Sequence, residues 1–317
     1  MAIKMRFRFP VAAVFLAVVG LPGSVPALAQ HGGAAESDRN LALEAGNGVI
    51  RMGKTWNQAT FDETLRLYTA AHRDIEWPGL LEAETYSYGS HAQQNFELFR
   101  PEQGFSEPGP VFLFMHGNGL GADDWRIPGS DGLLLTHAGR LAATAGGIGV
   151  LMNYRTGEAA SPLSGSEDLR LVVEWLKENI AEYGGDPDTL VLVANSEAAL
   201  HAAAYLFDQD AQPVSGPGLA AVVLSSGIFG DAAPHLYRLI DDYQGPRVPL
   251  ALWSAQYDVA PVEIGIVELY GKLCRKYQDC PWYEQLYGHN HMSHILSFGT
   301  SDSSASNAFI RFYHTVR

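Results

Sequence analysis

A mainly parallel β-sheet covered by helices on both faces is predicted by three features of this sequence. Short, continuous apolar runs alternate with stretches of helical periodicity, the apolar runs read as strands buried on both sides, and no internal repeat or linker divides them. The composition agrees with a globular chain that buries a large core: of 317 residues, 47% are hydrophobic and 18% charged.

The first residues combine cations (Lys4, Arg6, Arg8), an apolar run from Phe9 to Leu21 and a small-residue site at Ala27-Leu28-Ala29. These are the three parts of a secretory signal peptide, which predicts a leader over 1–29, a mature chain from about Gln30 and a secreted or periplasmic location. The run falls short of the roughly 20 apolar residues that cross a bilayer, so no stable membrane insertion is expected after the leader is removed. A formal charge of −14 opposes binding to nucleic acid backbones, and no such partner is expected.

Residues 31–40 are small and polar and predict disorder, within an N-terminal extension over 30–59. A single domain is expected over 60–317, opening with an amphipathic stretch from Thr60 to His72. Strands are predicted at Glu84–Tyr88, Asn95–Phe99, Val111–Met115, Ile148–Asn153, Leu190–Ala194, Ala220–Ser225, Leu250–Ser254 and Trp282–Leu286. Helices are predicted over 132–145, 166–183, 197–206, 262–273 and 303–313, the second ended by Gly184-Gly185.

The only cysteines, Cys274 and Cys280, are close together in a chain expected to be exported, which predicts a disulfide worth about 2 kcal/mol. A continuous helix through both would hold their Cα atoms too far apart, so the chain must turn between them.

Chemistry is suggested first at Leu190-Val191-Leu192-Val193-Ala194-Asn195-Ser196-Glu197-Ala198, a strand that enters a helix with a serine at the junction. A sharp turn there lifts the hydroxyl above the sheet edge and aims the next backbone N–H groups at a developing oxyanion. The small residues this packing needs are Ala194 and Ala198. A serine in this place also serves as an ordinary helix N-cap, and by itself the motif does not choose.

Four segments in order resemble the carboxylesterase and lipase branch of the α/β-hydrolase superfamily. They are His116-Gly117-Asn118-Gly119 after an apolar strand, Met152-Asn153-Tyr154-Arg155, the run from Glu167-Asp168 to Gly184-Gly185-Asp186-Pro187, and the serine turn itself. The resemblance implies the α/β-hydrolase fold and a serine esterase without cofactor or metal; the sequence shows no separate lid domain or carbohydrate-binding module, which favours small or medium esters as substrate. It implies Ser196 as nucleophile, Asp258 as acid with Glu263 in reserve, and a histidine of Gly288-His289-Asn290-His291-Met292-Ser293-His294 as base. His291 leads, with His294 as the alternative base and His289 third. Backbone N–H groups of Glu197 and of Asn118 or Gly119 would form the oxyanion hole.

The same triad would serve an amidase or peptidase. A binding protein on this scaffold is the third reading, because Ala194, Ala198 and Asn118 stand where the resembling family has glycines, although the serine, aspartate and histidines are all kept. Trp125, Trp253, Phe229 and Tyr237, near strand ends, are either core or the wall of an aryl-ester pocket.

Overall fold

The computed structural model describes residues 36–117, 130, 132–157, 160–161, 163–213 and 215–316. Among these residues, eight strands form one sheet in the order β1-β2-β4-β3-β5-β6-β7-β8. They are β1 (Glu84–Ser87), β2 (Asn95–Phe99), β3 (Gly109–Met115), β4 (Ile148–Met152), β5 (Gly185–Asn195), β6 (Ala221–Ser225), β7 (Leu250–Tyr257) and β8 (Trp282–Asn290). From β4 to β8 every neighbouring pair is parallel, while β1 and β2 pair antiparallel at one edge.

The apolar strands are buried on both faces because successive side chains point in opposite directions. Along β5, Leu190, Leu192 and Ala194 join the larger core with Val172, Leu176, Ala198, Ile266 and Leu269. Those partners belong to helices α4 (Ser164–Asn179), α5 (Glu197–Phe207) and α7 (Ala260–Tyr277). The alternate residues Val191 and Val193 meet Phe112, Val223, Trp253, Phe309 and Phe312 on the opposite face, under α9 (Ser304–Thr315). Trp253 and Phe229 are therefore core and not pocket wall, being 0% and 3% exposed. Trp125 lies outside the described residues.

A third cluster joins α1 (Glu36–Met52), α2 (Gln58–His72) and α8 (Ser293–Leu296) through Ala45, Val49, Leu67, Tyr68, Met292 and Leu296. The helix from Glu36 departs from the disorder predicted over 31–40. Its stripe Ala42, Ala45 and Val49 is small but fully covered, so the burial comes from tertiary contact that composition does not reveal.

The predicted helix over 132–145 is confined to α3 (Thr136–Thr144), because Gly132 and Leu135 have positive φ and turn the chain before it. Helix α6 (Pro234–Asp242) was not predicted, although it opens on a proline at its first position and buries Leu236 and Ile240 on one face. Cys274 and Cys280 form a disulfide with Cα atoms 4.3 Å apart. The turn needed between them comes as α7 ends at Tyr277 and Gln278 adopts a left-handed conformation. Among the described residues, no helix is long and apolar enough to cross a membrane. The predicted leader lies outside them.

Candidate active site

The parallel strands set the site, because β5, β7 and β8 all end at the same sheet edge and each delivers one functional side chain just beyond its last residue. Between β5 and α5 only Ser196 makes the turn, and it does so at φ 61° and ψ −125°, a strained conformation for a residue with a side chain. Two features hold it there. Ala194 and Ala198 are fully buried, which lets strand and helix close on each other, and the Ser196 N–H donates to the Ser225 carbonyl at 2.9 Å. The hydroxyl makes no capping bond to α5, so the N-cap alternative does not describe this serine.

Instead, Ser196 Oγ lies 2.8 Å from His291 Nε2, and His291 Nδ1 lies 2.9 Å from Asp258 Oδ1. Facing a carboxylate, Nδ1 carries the ring proton, which leaves the Nε2 lone pair to accept from the serine hydroxyl. Asp258 is wholly buried, and its second oxygen accepts from Ser226 Oγ and from the Ala255 N–H, both at 2.8 Å. Burial pushes its acidity down, but the bonds and positive charge offered by His291 outweigh this and hold its pKa below the usual carboxylate value.

The other predicted candidates are placed elsewhere. The alternative base His294 turns away from Ser196: Nε2 meets Ser225 Oγ and Asn195 Nδ2, and Nδ1 meets the Asn290 carbonyl. His289 is held between Ser293 and Ser304. The reserve acid Glu263 pairs with Lys54 at 2.6 Å. That ion pair fastens the α1–α2 connection over the site, where the Trp56 ring sits edge-on to the His291 ring with centroids 5.0 Å apart. Trp56 was not legible in the sequence, since nothing local marks a tryptophan whose partner lies more than two hundred residues away.

On the other side of the serine, β3 ends and His116-Gly117 follow. A Cβ on Gly117 would stand 2.8 Å from Ser196 Cβ and 3.3 Å from the Asn195 carbonyl, so this strand end rests directly on the Ser196 turn. Asn118 and Gly119, expected to contribute oxyanion donors, lie outside the described residues. The Glu197 side chain leans toward His201 at 4.0 Å.

The segments that carry the family resemblance also touch one another. Tyr154 Oη donates to the His116 carbonyl at 2.9 Å, and Arg155 reaches buried Asp168 with its Nε at 2.9 Å and its backbone N–H at 2.7 Å. They brace the β3 end against α4. Gly117→Ala is expected to lower kcat about a hundredfold, since the rigid Cβ must displace either the loop or Ser196. Steady-state kinetics on a short-chain ester, beside a melting curve close to that of the parent, would show it.

No family model matches the chain. By sequence it is similar to Esterase P of Drosophila melanogaster, 26% identical over 161 residues, covering 48% of this chain and 30% of that protein. It is also similar to Secreted lipase 5 of Gibberella zeae, 27% identical over 188 residues, covering 50% of this chain and 34% of that protein. The chain thus spans about a third of the length of these curated relatives. Among solved structures, Esterase B from Lactobacillus rhamnosis superposes with a TM-score of 0.62 at 16% identity, covering 89% of this chain and 96% of that one. The fold is that of the α/β hydrolases. The chain is carboxylesterase-like in sequence.

Proposed function

We propose that this chain hydrolyses carboxylic esters through an acyl-enzyme, with Ser196 as nucleophile, His291 as general base and acid, and Asp258 as the group that orients it. The observation that carries this is the hydrogen-bonded line from Ser196 through His291 to Asp258, starting from a serine held in a strained turn. His291 Nε2 takes the hydroxyl proton as Ser196 Oγ bonds to the carbonyl carbon. The carbon–alkoxy bond then breaks, and the same proton leaves with the alcohol. Water attacks the acyl-serine with its proton passing to His291, and the acid departs as Ser196 regains a proton.

The Glu197 N–H, at the start of α5, is the proposed oxyanion donor on one side, and Asn118 or Gly119 on the other. Several relatives and structural neighbours bear the name esterase, and one structure of the Lactobacillus enzyme holds a tributyrin phosphonate inhibitor. These favour an ester over an amide as substrate.

Export is part of the same proposal. It is supported by the leader-like residues 1–29, by the Cys274–Cys280 disulfide and by the word "secreted" in the name of one relative.

The test is labelling by a fluorophosphonate together with turnover of a chromogenic short-chain ester. The parent chain should do both and Ser196→Ala neither. Turnover that survives in Ser196→Ala would sink the proposal.

A further inference from the structure

His294 is completely buried three residues beyond His291 and takes no part in the Ser196–His291–Asp258 line. Its partners define its state. The Asn290 carbonyl, 3.0 Å from Nδ1, only accepts, so Nδ1 carries the proton; the Asn195 amide nitrogen, 3.3 Å from Nε2, only donates, so Nε2 is bare. Ser225 Oγ donates to the same Nε2 at 2.5 Å.

Each of these contacts falls one residue before a member of the site. Asn195 precedes Ser196, and Asn290 precedes His291. Ser225 precedes Ser226, whose hydroxyl donates to Asp258 Oδ2 at 2.8 Å, and the Ser225 carbonyl also accepts the Ser196 N–H. One imidazole therefore ties together the three chain segments that must agree in position.

We propose that His294 is a positioning residue, a neutral buried imidazole that locks the ends of β5, β6 and β8 against one another and so sets both hydrogen-bond distances of the triad. The proposal rests on the ester hydrolysis argued above. A neutral imidazole suits the task because it offers a donor and an acceptor in one rigid plane, with opposite edges aimed at opposite partners. Protonation would turn the accepting edge into a donor facing the Asn195 amide. Burial resists this and pushes the pKa down to about 4, with Asp258 pulling the other way and His289 and His291 adding to the decrease.

The experiment compares His294→Leu, His294→Asn and Ser225→Ala with the parent, counting active sites by fluorophosphonate titration. Per titrated site, His294→Leu is expected to lose about a hundredfold in kcat, because a small displacement between nucleophile and base has that effect, while KM stays within about threefold. The acid limb of kcat/KM should move to lower pH, since a looser Asp258 contact stabilises the imidazolium less. His294→Asn keeps a donor near the Nδ1 position and should recover about tenfold of the loss.

A folded His294→Leu with parental kcat per site, or a loss accounted for wholly by missing sites with the acid limb unmoved, overturns the proposal. If His294→Leu does not fold, Ser225→Ala decides: about a tenfold fall per site supports the role, and parental kcat overturns it. Ser196→Ala, run alongside, separates the two levels. Turnover retained there removes the triad and this role with it, whereas an inactive Ser196→Ala beside a normal His294→Leu removes only His294.

Discussion

Ser196→Ala and His291→Ala, made singly, should each lower kcat by about a millionfold, and the double variant should be no worse than either. In the proposed mechanism the imidazole acts through the serine proton: with the hydroxyl gone it has nothing to accept, and with the imidazole gone the hydroxyl stays a poor nucleophile. Asp258→Asn should be milder, about ten-thousandfold, because an amide in that place faces His291 Nδ1 with the wrong complement of protons and favours the wrong tautomer. Single-turnover and steady-state assays on one chromogenic ester would measure all four variants. Additive losses in the double variant would mean that Ser196 and His291 act independently, contrary to the 2.8 Å contact between them.

Acid should destabilise this protein from about pH 6.5 downward. His72, His116, His137, His201, His289 and His294 are all buried, and burial pushes each of their pKa values down, to about 4 for His72 and His294. In the unfolded chain a histidine takes its proton near pH 6.5. Between pH 6.5 and 4 the unfolded state therefore binds more protons than the folded state, and stability is full above that window and falls as the pH drops through it. For His72 and His294 the loss reaches about 3 kcal/mol each at pH 4, against a total of about 5–15 kcal/mol for an ordinary domain. Asp258, with its lowered pKa, adds a further loss only below its ordinary value of 3.8. Urea midpoints at pH 7, 5.5 and 4.5 should fall steadily, and a midpoint constant across that range would contradict the burial of these rings.

The sheet was legible because its evidence is local. Val111–Met115, Leu190–Ala194 and Ala220–Ser225 are apolar runs of strand length, and each is found as a strand with both faces covered. Helix α1 was not, since its covered residues are mostly alanines that gain their meaning only from α2 and α8. At the site, Ser196 and Asp258 are proposed from the resemblance and from chain order, each following its strand. The choice among His289, His291 and His294 could not be made from spacing, because all three lie within six residues of one reversing segment. Whether a ring meets Ser196, Ser225 or Ser304 depends on how that segment turns after β8. The pair Ser225-Ser226 is not legible for a related reason: two serines ending a strand are unremarkable until the neighbouring strands show what stands opposite them.

The attachment of α2 bears on how the molecule is made. His72 donates to the Leu296 carbonyl at 2.7 Å and Thr64 accepts from Asn290 Nδ2 at 2.9 Å, contacts that span 224 and 226 positions of sequence. During synthesis α2 emerges more than two hundred residues before the segment that covers Leu67, Tyr68 and His72. Its apolar face stays uncovered while the residues between are made, a natural foothold for a holding chaperone. The turn that bears His291 and the cover for α2 belong to one segment, so assembly of the proposed site coincides with covering of α2.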